Sequence, residues 1–155
     1  IMPSLVGSEM CIRDRFMICT NTGEEAKPLA KIASGGELAR IMLAIKNVLA
    51  EKDGIGTIIF DEVDTGVSGR AAQKIGKKLA EVARHRQVIC VTHLAPVAAC
   101  AAHHYRIYKT VEDGRTFTRV EELTRPQRVQ ELARIMVGEN ITDSALKSAE
   151  EMLES

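Results

Sequence analysis

Asp61 and Glu62 are adjacent carboxylates that directly follow the apolar run Thr57-Ile58-Ile59-Phe60 and precede the glycine-rich stretch Asp64-Thr65-Gly66-Val67-Ser68-Gly69. Neighbouring acids in such a place suit chemistry on phosphates. One carboxylate can hold a hydrated Mg²⁺, a hard cation that prefers oxygen ligands. The other can polarise a water for attack on a phosphoryl group. Pleat alternation turns the two side chains opposite ways, so each can take its own task. The same letters also describe a strand that ends in solvated acids before a turn, because short motifs are weak alone.

Two flanking stretches add to the pair. Upstream, Ala33-Ser34-Gly35-Gly36-Glu37-Leu38 opens a helical pattern. The exposed amides of Gly35 and Gly36 at a helix start form an anion site, and their missing side chains let a phosphate come close. Ser34 and Glu37 also match the S-x-x-E capping box, which is compatible with that use. Downstream, Val88-Ile89-Cys90-Val91-Thr92-His93 is a second apolar run that ends on a histidine. His93 suits a hydrogen bond to a phosphate or to the attacking water.

These groups need elements to carry them. A short apolar run bounded by turn signals reads as a buried strand of a parallel sheet. Asp61 and Glu62 then stand at its C-terminal end, where open α/β sheets bind ligands. Ser68 can cap a helix from about Gly69 to Arg84, with Ala72, Ile75, Leu79, Val82 and Ala83 as its apolar seam and Arg70, Lys74, Lys77, Lys78 and Glu81 toward water. A strand over 88–92 completes a parallel βαβ unit and brings His93 to the same edge. Upstream, Leu38, Ile41, Met42, Ile45, Val48 and Leu49 fall at helical spacing and predict an amphipathic helix from about Gly36 to Glu51.

The remaining segments read more briefly. Phe16 to Cys19 is a short strand closed by a turn at Thr20-Asn21-Thr22-Gly23, and 24–33 is a polar loop. Pro96 to Ala102 is a short Ala-rich helix. Two alternating runs, 105–109 and 116–120, flank Glu112-Asp113-Gly114 as a hairpin. Val129, Leu132, Ala133 and Met136 mark a helix capped by Gly138, and Thr142 or Asp143 starts a last one.

Composition excludes some functions. With 155 residues the chain makes one domain, and 45% hydrophobic with 27% charged residues is the balance of a soluble globular protein. Its 21 basic and 21 acidic residues cancel, so charge gives no argument for nucleic acid, and 3% aromatic content argues against a base-stacking surface. Cys11, Cys19, Cys90 and Cys100 form no C-x-x-C pair, which fits a reducing cytoplasm. Cys100, His103 and His104 lack a fourth ligand for a zinc site. No run approaches the roughly 20 apolar residues of a membrane span.

In order and spacing, the three stretches resemble the signature motif, the Walker B motif with its D-loop, and the switch histidine of ABC-type ATPases. The wording Phe60-Asp61-Glu62-Val63-Asp64-Thr65-Gly66-Val67-Ser68-Gly69 is closer still to the RecN family of SMC-like DNA repair proteins. The resemblance runs from about Phe16 to the C-terminus. It implies an α/β fold: the C-terminal half of a P-loop NTPase head of ABC/SMC type over 16–155, with a mostly parallel sheet, flanking helices, and a C-terminal hairpin plus helices. It further implies an ATPase that dimerises around two ATP molecules in the bacterial cytoplasm and acts on DNA in double-strand-break repair. In that reading Asp61 holds Mg²⁺, Glu62 activates the water, and His93 senses the γ-phosphate. Ser34, Gly35, Gly36 and Glu37 close the ATP site of the partner subunit, and Asp64 makes contact across the dimer.

No G-x-x-x-x-G-K-[ST] phosphate loop occurs in the sequence. The resemblance places it in an N-terminal half that rejoins this one across a coiled coil, so this chain alone is expected to be inactive. Residues 1–15 lack sustained periodicity and resemble translated sequencing-adapter sequence. They are expected to be non-native, with the gene cut on its 5′ side, and are set apart from the fold. Another SMC-like or ABC ATPase, and a non-enzymatic α/β interaction module, are the alternative readings.

Overall fold

The computed structural model describes residues 16–19, 23–49 and 54–154. The segment expected to be non-native, 1–15, lies outside the described residues, as do residues 20–22 of the turn expected over Thr20–Gly23 and Glu51, where the first long helix is expected to end. The chain divides into two units, Ile1–Ser34 and Gly35–Ser155.

In the first unit, β1 (Met17–Ile18) pairs antiparallel with β2 (Lys27–Pro28), and the Leu29 amide donates to the Phe16 carbonyl at 2.8 Å. Pro28 tolerates this place because an edge strand needs no donor from it. A single helical turn, α1 (Leu29–Ile32), follows. The segment expected as a polar loop over 24–33 therefore contains both a strand and a helical turn.

The second unit begins with α2 (Gly35–Val48) and continues through β3 (Thr57–Phe60), α3 (Gly69–Ala83) and β4 (Gln87–Cys90). β3 and β4 pair in parallel from Thr57↔Gln87 to Phe60↔Cys90, as the βαβ pattern predicts. The Val91 amide extends the ladder by donating to the Phe60 carbonyl at 2.9 Å. Alternate side chains then have different fates. Ile58, Phe60, Val88 and Cys90 turn toward a core of Ala72, Ile75, Leu79 and Val82 from α3, joined by Leu43 and Val97. Ile59 and Ile89 point to the opposite face and stay 67% and 45% exposed. The expectation of a buried strand is thus corrected in part: the described residues cover one face of the parallel pair.

The amphipathic seam expected on α2 is corrected as well. Leu38, Met42, Ile45 and Leu49 remain exposed, whereas Gly36 and Leu43 are buried. Positions 36, 40 and 43 share one helix face, and at 100° per residue that face lies about 200° around from the one through 38, 42, 45 and 49. Close approach at a glycine, and not apolar periodicity, selects the docking side.

The C-terminal part builds a second core. A short helix, α4 (Ala95–Ala99), leads into the hairpin of β5 (Tyr105–Glu112) and β6 (Arg115–Glu122), then α5 (Arg125–Val137) and α6 (Asp143–Glu154). Asp113 and Gly114 both adopt positive φ, 50° and 71°, which gives the tight turn that matches strand twist. The Thr124 amide donates to Gln127 Oε1 at 2.8 Å at the start of α5, and Gly138 ends it with φ 80°. Ala95, Ala98, Ala133, Ala145 and Ala149 surround Leu132, so small residues let three helices approach closely. Glu131 is buried here; hydrogen bonds from Arg134, at 2.6 and 2.9 Å, hold its carboxyl below the usual range. Among the described residues no helix is long and apolar enough to cross a membrane.

The crossing of α3 and α4 depends on Gly76. A Cβ there would lie 2.7 Å from Cys100 Sγ and 3.1 Å from the Pro96 carbonyl oxygen. Gly76→Val should therefore destabilise the chain by about 1–3 kcal/mol through overpacking, despite the better helix propensity. Chemical denaturation would show it as a lower midpoint at unchanged slope.

Candidate functional site at the end of the parallel strands

β3 and β4 end side by side, so the residues that follow them share one edge. Asp61 and Glu62 come straight after Phe60, and both are exposed. Glu62 has φ 57°, a left-handed conformation that costs a non-glycine residue about 1 kcal/mol or more. The surrounding turn holds it there: the Thr65 amide donates to the Glu62 carbonyl at 3.1 Å, and the Val67 amide to the Asp64 carbonyl at 3.3 Å.

Asp64 is 2% exposed. Its carboxylate accepts a short hydrogen bond from Thr92 Oγ1 and one from the His93 amide at 3.2 Å, and His93 Nδ1 lies 3.5 Å away. Thr92 Oγ1 in turn accepts from the Leu94 amide at 3.1 Å. The imidazole of His93 is largely exposed, so its ring remains open to solvent or ligand while its backbone is tied down. Burial, followed by the charges of Asp64 and Asp61, pushes the Cys90 thiol up to about 11.

Gly35 and Gly36 abut this turn from α2. A Cβ on Gly35 would lie 3.0 Å from Glu62 Oε2, and one on Gly36 would lie 3.0 Å from the Glu62 carbonyl oxygen and 3.1 Å from Thr65 Cβ. The glycine pair thus makes room for Glu62 of its own chain. Arg40, one turn further along α2, donates to the Thr65 carbonyl at 2.8 Å and to the Val63 carbonyl at 3.3 Å. Motif spacing did not single out Arg40; a long cation four residues after a buried glycine was the available signal. Ser68 precedes α3 in an extended conformation without a side-chain cap bond, so the expected cap is not formed there.

The structure thus brings Asp61, Glu62, Asp64, His93, Gly35 and Gly36 to one region of the second unit. Glu37 is exposed in the first turn of α2. Ser34, also exposed, is the last residue of the first unit. Among the described residues no group of three or more His, Cys, Asp or Glu side chains is gathered as a metal cage.

A parallel strand pair with acids and a histidine at its carboxyl edge, followed by a hairpin and two helices, defines the class. The fold is that of part of an SMC-type ATPase head: it matches a solved chain from work on ATP-driven dimerization and DNA-stimulated activation of SMC ATPases, with TM-score 0.50 and 22% identity, covering 74% of this chain and 68% of that one. No family model matches the sequence. Within the class, the chain matches the C-terminal part of the DNA repair protein RecN. It is 50% identical over 139 residues to RecN of Bacillus subtilis, covering 90% of this chain and 24% of that protein. It is 48% identical over 133 residues to RecN of Deinococcus radiodurans, covering 86% and 23%. The chain spans about a quarter of the length of the curated relatives it matches.

Asp64→Ala would leave the Thr92 hydroxyl and the His93 amide without their acceptor. Each orphaned group costs about 1–3 kcal/mol, so the melting temperature should fall by several degrees for a chain of this size. Thermal unfolding of the variant checks this.

Proposed function

We propose that this chain is the C-terminal portion of the ATPase head of a RecN-like protein, an ATPase that dimerises around ATP and serves DNA double-strand-break repair. The observation that carries the reading is the shared edge: Asp61 and Glu62 after β3, with the switch segment after β4 bonded to Asp64 of the same turn. The motif order supports it, as do relatives that are DNA repair proteins and a fold neighbour described by ATP-driven dimerization.

The roles follow from the chemistry of each group. Asp61, an exposed carboxylate at the strand end, would hold Mg²⁺. A single carboxylate fits, because Mg²⁺ keeps several waters and takes its other ligands from phosphates. When bound, Mg²⁺ neutralises charge on the phosphate oxygens. Glu62 would orient and deprotonate the attacking water, its carboxylate aimed by the left-handed backbone conformation that the turn holds. His93 would hydrogen-bond the γ-phosphate through its largely exposed ring. Ser34, Gly35, Gly36 and Glu37 would face the ATP of the partner subunit, where the start of α2 offers amides and the positive end of its dipole. The contact across the dimer expected of Asp64 does not fit a carboxylate that is buried and bonded to Thr92 and His93 of its own chain, so Asp64 would hold the turn that faces the partner.

The open apolar surfaces fit the same reading. Ile59 and Ile89 on the sheet, and Leu38, Met42 and Ile45 on α2, are the faces on which the rest of the head, with its phosphate-binding loop, would pack. DNA enters through the kinship with repair proteins, and the protein would act in the bacterial cytoplasm, where that DNA lies.

Glu62→Gln in the intact protein preserves shape and hydrogen bonding but removes the base. Hydrolysis should fall at least about a hundredfold while ATP still binds. Turnover within a few-fold of wild type would move the catalytic role away from Glu62.

A further inference from the structure

Arg40 occupies the docking face of α2, four residues beyond the buried Gly36. It is half-buried, and its Nη1 donates to the carbonyls of Thr65 and Val63 at 2.8 and 3.3 Å. Charged donors make stronger hydrogen bonds than neutral ones, and a guanidinium is a stiff planar fork. Between the two carbonyls it grips lies Asp64, anchored on its other side to Thr92 and His93. Immediately before them lies Glu62, whose φ of 57° depends on this turn. Gly36 closes the same turn from one helical turn away, with no room for a Cβ against the Glu62 carbonyl.

We propose that Arg40 is a positioning residue for ATP hydrolysis: it clamps the Val63–Thr65 turn and thereby aims the Glu62 carboxylate. The proposal rests on the hydrolytic role assigned above. Because Arg40 shares a rigid helix with Gly35 and Gly36, the clamp also couples the two regions mechanically. A displacement of α2 by a ligand at its N-terminus would move the Val63 and Thr65 carbonyls, and Glu62 with them. Arg40 acts through Glu62 and needs no contact with the nucleotide.

The test uses Arg40→Met and Arg40→Lys in the intact protein, with steady-state kinetics and amide hydrogen exchange. Arg40→Met should lower kcat about tenfold or more, since misplacing a reacting group by about 1 Å can cost about a hundredfold. KM for ATP should stay within about twofold, because the lost contact is not one to substrate. Arg40→Lys, which keeps one charged donor, should recover part of kcat. Exchange at the amides of Thr65 and Val67 should quicken in Arg40→Met while α5 is unaffected. A kcat within about twofold of wild type, or a loss confined to KM, overturns the proposal. If Arg40→Met does not fold, Arg40→Lys decides: reduced kcat at unchanged KM supports the clamp, and wild-type kcat overturns it. If the intact wild-type protein hydrolyses no ATP, the functional assignment falls separately. Exchange then decides on Arg40 alone, and unchanged protection at Thr65 and Val67 removes the clamp.

Discussion

Asp64 puts a carboxylate where a carboxylate is costly, in the interior between the ends of two strands, and this one group organises the site. Removing an acid from water is unfavourable unless hydrogen bonds replace hydration. Here the Thr92 hydroxyl and the His93 amide provide them, with the His93 ring alongside. The bonds tie the turn after β3 to the segment after β4, residues 28 and 29 positions apart. The parallel register supplies the distance: with Phe60 opposite Cys90, Asp64 and Thr92 both fall just past the strand ends. Without the pairing the acid would have no donors, and without the acid the two exits would be free to move separately.

The turn that Asp64 anchors is gripped from its other side by α2. Gly36 supplies proximity and Arg40 supplies hydrogen bonds to the carbonyls on both sides of Asp64. Glu62 is thus held in a conformation that its own side chain does not favour. A strained residue persists only where its neighbours over-determine it, and here the neighbours come from a helix and from both strand exits. In the proposed head the first helix turn also faces the partner's nucleotide, so one short element touches two sites at once. The missing side chains of Gly35 and Gly36 are what let this turn of helix lie so close to Glu62.

Much of this was legible in the residues. The apolar runs gave β3 and β4 and their parallel relation, the 3.6-residue seam gave α3, and Asp113-Gly114 gave the hairpin, because each signal is local. The ends of elements shifted by up to three residues, as caps and fraying dictate. What periodicity misread was α2. Its most apolar side, through Leu38, Met42 and Ile45, is exposed, and the helix docks through Gly36, Arg40 and Leu43. Hydrophobic pattern reports all the surfaces a helix will bury, including those that meet further protein, and cannot rank them. The chemistry of Asp61 and Glu62 was visible as adjacency, but the burial of Asp64 and the strain at Glu62 were not, since both arise from three segments meeting. Thr65 and Thr92 lay inside the recognised stretches with no role that spacing could assign, and Arg40 lay outside them.

In the proposed dimer a complete site joins Glu62 of one subunit to Ser34 of the other. Two mixed dimers of the intact protein test it directly. In one, Glu62→Gln and Ser34→Arg are carried by different subunits; in the other, a single subunit carries both and its partner is wild type. If the sites are shared, splitting the changes places both lesions in one site and leaves the second whole, whereas combining them spoils both. ATP hydrolysis should therefore be retained at about half the wild-type rate in the split dimer and lost in the combined one, the loss following from removal of the base or of the oriented donors. Hydrolysis in the combined dimer equal to or above that in the split dimer would contradict a composite site.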